Sequence, residues 1–169
     1  DQIRVIGSST ITTESFIKNS GIGLPVSLLS IRPKKLRASI LQKMPVSSVV
    51  IRRHLLPPGL EIEIKERKPI ANAMRWTPEG VEKGMLDKEG QWMSLKMASL
   101  SASPSIDLLI EGWMASHRKK IALVLDRRSQ LGNPLQKIIF NPNGELSLLT
   151  KDLGLIHLGD SNEQLEKKL

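Results

Sequence analysis

The sequence predicts an α+β protein in two parts: a small β-α-α-β-β unit over residues 1–69 and a mostly antiparallel β region with one or two helices over 70–169. Three observations carry this. Leu60-Glu61-Ile62-Glu63-Ile64-Lys65 alternates with the period of a half-buried strand. Two short amphipathic runs with helix-start signals precede it. After Pro69 the texture changes to short apolar runs separated by turns that contain glycine.

In chain order, Ile3-Arg4-Val5-Ile6-Gly7 has a strand-like pattern. Thr12-Thr13-Glu14 is a helix start, Phe16, Ile17 and Ile22 supply apolar contacts, and Gly21 is a natural stop. Ser30-Ile31-Arg32-Pro33 announces a second helix: Pro33 suits the first turn, and Leu36, Ile40 and Met44 recur every four residues on one face. Val49 to Leu55 is β-prone, Leu56-Pro57-Pro58-Gly59 has turn chemistry, and Leu60 onward returns as the antiparallel partner. Pro69 lacks the N–H that a central strand needs, so the hairpin ends near Arg67. The result is a three-stranded sheet with two helices on one face.

In the second part, Gly84-Met85-Leu86 and Gln91-Trp92-Met93 flank Asp87-Lys88-Glu89-Gly90, and Lys137 to Phe140 and Glu145 to Leu149 flank Asn141-Pro142-Asn143-Gly144. Both read as hairpins. Ser94 to Ser105 is weakly patterned, and Trp113 to Leu131 reads as helical, ending at Gly132-Asn133-Pro134.

A chain of 169 residues with 40% hydrophobic content buries a real core, built from Leu, Ile, Val and Met because aromatics make up only 3%. The formal charge of +8 makes an anionic partner physically reasonable: nucleic acid, lipid headgroups or an acidic protein face. The absence of cysteine excludes disulfides, a thiol nucleophile and thiolate zinc sites. No segment approaches the ~20 apolar residues of a membrane-spanning helix. The opening residues do not form a signal peptide, and the chain reads as an excised soluble part of a longer protein.

The residues offer catalysis no foothold. His54, His117 and His157 stand far apart without metal-ligand spacing. No serine lies in G-x-S-x-G or S-x-x-K. Gly21-Ile22-Gly23-Leu24-Pro25-Val26 lacks the third glycine and the preceding strand of a dinucleotide loop. Glu61 and Glu63 share an exposed face with Lys65, which reads as solvated surface. The best anion-binding candidate is His117-Arg118-Lys119-Lys120 with Arg127 and Arg128, yet Ile121, Val124 and Leu125 would form the inner face of an ordinary solvated helix. Stacking on single-stranded nucleic acid would have only Trp113 nearby. No catalytic residue, cofactor or metal site is therefore assigned.

Ile3-Arg4-Val5-Ile6-Gly7, Thr12-Thr13-Glu14, Leu36, Pro45-Val46, Val49-Val50-Ile51-Arg52-Arg53 and above all Leu60-Glu61-Ile62-Glu63-Ile64-Lys65-Glu66-Arg67-Lys68-Pro69-Ile70-Ala71 resemble the polypeptide-transport-associated (POTRA) domain of the FtsQ/DivIB bacterial cell-division proteins. Later, Leu86-Asp87-Lys88-Glu89-Gly90, Leu155-Ile156-His157-Leu158-Gly159 and Glu166-Lys167-Lys168-Leu169 are similar to the family's β domain. The likeness covers about two-thirds of the chain and is poorest from Leu95 to Pro134. It implies a POTRA domain over 1–69 and a β domain over 70–169, with Pro69-Ile70-Ala71 as the hinge between them.

It further implies a non-catalytic scaffold of the divisome, held in the cytoplasmic (inner) membrane by a single N-terminal helix absent from these residues. Its soluble domains would lie on the extracytoplasmic, periplasmic side at the division septum, regulating septal peptidoglycan synthesis. Implied partners are FtsB/DivIC-like and FtsL-like proteins, bound by β-strand addition, with other divisome proteins at the POTRA domain and no nucleic acid. The family's main partner-binding strand follows a helix that would begin near Glu163, and with the sequence ending at Leu169 the expectation is either a truncated C-terminus or a protein whose C-terminus is shortened, so that strand is not carried over residue by residue. Candidate contact residues are Ile51, Arg52, Arg53 and His54 on the POTRA hairpin, and Leu153, Gly154, Leu155, Ile156, His157 and Leu158 on an edge strand. The positive charge offers anionic lipid as a further contact. The rival readings are a basic nucleic-acid-binding module, whose affinity would fall steeply with salt, and a POTRA-containing outer-membrane assembly or secretion factor, which usually carries several such units in tandem.

Overall fold

The computed structural model describes residues 3–23, 27, 30–101, 105–131 and 134–159. The chain divides into two compact units, Asp1–Lys68 with Ser99–Ala102, and Pro69–Ala98 with Ser103–Leu169.

The first unit runs β1 (Ile3–Ile6), α1 (Thr13–Ser20), α2 (Pro33–Lys43), β2 (Val46–Leu55) and β3 (Pro58–Glu66). Its sheet order is β1-β3-β2, with β3 parallel to β1 and antiparallel to β2. A parallel pair needs a crossover, and the two helices supply it. Thr12 Oγ1 accepts the Ser15 N–H at 3.2 Å to start α1, and Gly21 ends it in the left-handed region at φ 82°. The strand alternation has the expected result: Leu60, Ile62 and Ile64 are buried with Phe16, Ile40, Met44, Val46 and Val49. Each such side chain contributes roughly 1.5–3 kcal/mol by leaving water.

Two local expectations shift. β2 begins at Val46, three residues before the β-prone run, with a bulge between Val46 and Ser48. The hairpin turn is only Leu56-Pro57, because Leu55 already pairs with Pro58 and His54 with Gly59. Pro58 can join the strand because β3 has no β1 neighbour there, the parallel register starting at Ile3 opposite Leu60. Within the weakly patterned stretch, the segment after Ala98 is engaged: Leu100 packs against the first core and Ser101 Oγ donates to the Arg67 carbonyl at 3.0 Å.

The second unit contains β4 (Ala71–Thr77), β5 (Gly80–Leu86), β6 (Trp92–Ser94), a one-turn α3 (Leu95–Ala98), β7 (Leu109–Glu111), α4 (Arg118–Arg127), β8 (Leu135–Phe140), β9 (Leu146–Thr150) and β10 (Gly154–Gly159). The seven strands lie in the order β10-β9-β8-β7-β4-β5-β6. The sheet is mostly antiparallel, but β7 is parallel to both β4 and β8. Both hairpin turns are built alike. Asp87 Oδ1 accepts the N–H groups of Glu89 and Gln91, each at 2.9 Å, and Asn141 Oδ1 accepts those of Asn143 at 3.0 Å and Glu145 at 2.9 Å.

The helix expected over Trp113 to Leu131 is shorter. α4 is flanked by 3-10 turns at Ala115–His117 and Arg128–Gln130, and Trp113 is a core residue. Ile121 and Val124 of α4 are fully buried with Ala71, Ile110, Ile138, Phe140 and Leu148, so β7, α4 and β8 form a crossover unit on one sheet face. The expected stop at Gly132-Asn133, the helix from near Glu163 and Leu24-Pro25-Val26 lie outside the described residues.

Candidate protein-interaction edges

Ile51, Arg52, Arg53 and His54 form one continuous stretch of β2, an outer strand of its three-stranded sheet. Their side chains alternate between faces. Ile51 packs partly against the core, and Arg53 donates to the Ile31 carbonyl at the start of α2. On the opposite face Arg52 Nη1 lies 2.7 Å from Glu63 Oε2 and 3.3 Å from Glu61 Oε1, and His54 Nε2 is 3.9 Å from Glu61 Oε2. The register explains the grouping, since Arg52 stands directly opposite Glu61, and Glu63 is the diagonal neighbour. The Glu63 hydrogen bond, then its charge, raises the Arg52 guanidinium above its ordinary pKa. What the sequence shows as a solvated acidic face is thus a charge-paired one, in which the charged Arg52 guanidinium is held by two carboxylates.

Gly154, Leu155, Ile156, His157 and Leu158 form β10, the last strand at one end of the larger sheet among the described residues. Leu153 belongs to the preceding turn, where its N–H donates to Thr150 Oγ1 at 3.3 Å. Ile156 and Leu158 face the core, whereas Leu155 is exposed and His157 Nδ1 lies 2.8 Å from Ser147 Oγ. A register shift between His157 and Gly159 ends regular pairing with β9. Such bulges are common at sheet edges.

The basic run of α4 is a less open surface than its sequence promises. His117 is buried, stacked on Phe140 with centroids 4.1 Å apart, and its Nδ1 lies 3.2 Å from the Gly112 carbonyl oxygen. Lys120 and Arg127 are engaged in further interactions. Trp113, the one candidate for base stacking, donates its indole N–H to the Gly90 carbonyl at 3.0 Å inside the core. Its ring lies 5.2 Å from that of Trp92, and the Arg75 guanidinium covers Trp92 at 4.5 Å while pairing with Glu82. Among the described residues no group of three or more His, Cys, Asp or Glu side chains could hold a metal ion.

Sequence reasoning missed the carboxylate pair that holds Arg52, although the alternation of Glu61 and Glu63 opposite Arg52 contains the signal. It also missed the hairpin tip, where Leu55 and Leu56 are exposed.

A β-α-α-β-β unit with this topology, followed by a larger mostly antiparallel sheet, defines a POTRA domain joined to a β domain. A family model described as POTRA domain, FtsQ-type, matches residues 1–67. The first unit is therefore an FtsQ-type POTRA domain, and the chain a protein that contains one. No curated protein matches the chain. An FtsQ-type POTRA domain points to a scaffold role in cell division, through interactions between proteins.

Proposed function

We propose that this protein is a non-catalytic scaffold of the bacterial divisome that bridges FtsB/DivIC-like and FtsL-like membrane proteins and helps regulate septal peptidoglycan synthesis. The observation that carries the reading is the FtsQ-type match over residues 1–67, because this POTRA type is tied to division. The position of β10 at one end of the β-domain sheet supports strand addition as the binding mode, since an outer strand has backbone N–H and C=O groups on one side for a partner strand. The outer position of β2 supports a second contact at Ile51 to His54 with another division protein. In this reading an N-terminal membrane helix precedes the POTRA domain, and both domains stand on the extracytoplasmic side at the septum.

The decisive experiment is calorimetric titration of the chain, alone and extended through its native C-terminus, with the soluble parts of FtsB-like and FtsL-like proteins. Binding by both forms supports a site within these residues. Binding by the extended form alone moves the main site to the added segment. No binding by either overturns the bridging role.

A further inference from the structure

We propose that the POTRA hairpin tip, Leu55 and Leu56 in a collar of Arg4, Arg32, Lys34, Lys35 and Arg53, is a contact surface for an anionic lipid bilayer. Leu55 is 81% exposed and Leu56 93%, the highest values among the exposed large apolar residues described, and Pro57 and Pro58 extend the apolar tip. A solitary exposed leucine requires no explanation, but two adjacent ones at the end of a projecting hairpin form the shape of an insertion point.

The surrounding charge has the matching sign. α2 begins with Arg32, Lys34 and Lys35, has no acidic residue in its first turn, and lacks a side-chain cap. Cations at a helix N-terminus oppose the helix dipole, so helix stability does not account for them. The bond from Arg53 to the Ile31 carbonyl ties this helix start to the hairpin, so these cations collect at the tip end. Arg4 lines an open hollow of about 460 Å³ together with His54, Leu56, Pro57 and Pro58. The carboxylates on β3 near this end, Glu61 and Glu63, are occupied by Arg52. An apolar tip within a basic collar combines the two terms that interfacial membrane binding requires: insertion and attraction to anionic headgroups.

The direction of approach follows from register and rests on the membrane-anchored reading above. Ile3 pairs with Leu60, so β1 begins at the hairpin-tip end of the sheet. A membrane helix preceding β1 would enter the domain there and turn the tip toward the bilayer.

The test is flotation of the 169-residue chain with phosphatidylglycerol/phosphatidylcholine vesicles and with phosphatidylcholine alone. The expected result is binding to the anionic vesicles only, weakened by salt. Leu55→Ser/Leu56→Ser and Lys34→Glu/Lys35→Glu should each lower apparent affinity by about tenfold. The exposed leucines should leave the melting transition unchanged. A Leu56→Trp variant should gain blue-shifted emission on vesicle addition. Absence of binding to anionic vesicles, undiminished binding by the serine variant, or an unshifted Leu56→Trp emission in the bound state overturns the proposal. So does a serine variant that keeps vesicle binding and loses calorimetric binding to a division protein, which would make the tip a protein site. Titration with the division proteins tests the scaffold reading separately, since it contains no lipid.

Discussion

Ser8 Oγ donates a hydrogen bond to Glu66 Oε2 at 2.9 Å, joining the end of β1 to the end of β3 across 58 residues of sequence. Ser8 Oγ in turn accepts the N–H groups of Thr10 at 3.1 Å and Ile11 at 2.8 Å, which shapes the approach to α1. Next in sequence, Arg67 Nε donates to the Val46 carbonyl at 2.9 Å, and its backbone N–H donates to that of Pro45 at 2.7 Å. The Glu66-Arg67 pair that ends the amphipathic strand therefore fastens that strand to both neighbouring chain segments before Pro69 ends the pairing.

Ser8→Ala should destabilise the POTRA domain by about 1–3 kcal/mol, because it leaves a half-buried carboxylate and two backbone donors without their partner. Urea unfolding followed by circular dichroism measures this. A change within error of zero would mean that water replaces the serine without loss.

Two glycines with similar backbone angles should respond very differently to alanine. Gly112 has φ 76°, and an added Cβ would meet the Phe140 carbonyl oxygen at 2.2 Å. That oxygen belongs to a core strand and cannot retreat cheaply, so Gly112→Ala should cost on the order of 3 kcal/mol or more. Gly154 has φ 72° with nothing within 4 Å of the added atom. Only the left-handed conformation is penalised there, at about 1–2 kcal/mol. Thermal unfolding of the two variants should separate them clearly, and equal losses would refute the steric account.

The POTRA fold was legible because its determinants are local: the alternation of Leu60 to Lys65, the Thr12 cap, Pro33 and the four-residue repeat to Met44. The centre of the second sheet was not. β7 has only three residues, and its neighbours β4 and β8 are parallel to it and distant in sequence, so neither turn chemistry nor a long alternation announces it. The helical reading of Trp113 to Leu131 takes in Trp113, yet Trp113 packs in the core against Trp92 ahead of the helix. Of the candidate edges, composition marked the strands, while their outermost positions emerge only from the pairing order.

Arg52→Gln should leave the first unit's unfolding transition nearly unchanged, because Arg52 and Glu63 are 50% and 46% exposed and solvent screens their pairing. Ile62→Ala, at a fully buried position beside it on β3, should cost about 2–5 kcal/mol. The pairing raises the Arg52 pKa, so its contribution is complete below the ordinary arginine value and lost only as pH rises through the raised one. Arg52 thus stays charged across the neutral range, and its effect on stability should not change with pH there. Urea unfolding of both variants at neutral and mildly alkaline pH checks this. A large loss for Arg52→Gln would show that the exposed pair is structurally important.

The strand-addition reading predicts a separation between two changes in β10. Leu155 is 48% exposed, so Leu155→Glu should preserve folding while placing a charge beside an incoming strand. Ile156→Pro removes a backbone donor and reshapes an inward-facing side chain that packs on the core. If a partner strand lies along β10, both variants should weaken calorimetric binding to the FtsB-like protein by tenfold or more, and near-ultraviolet circular dichroism should show a folded β domain for Leu155→Glu. If Leu155→Glu folds and binds as the unmodified chain does, β10 is not the docking strand. Loss of binding only in Ile156→Pro, accompanied by loss of the tryptophan signal, would report unfolding and give β10 no support as an interface.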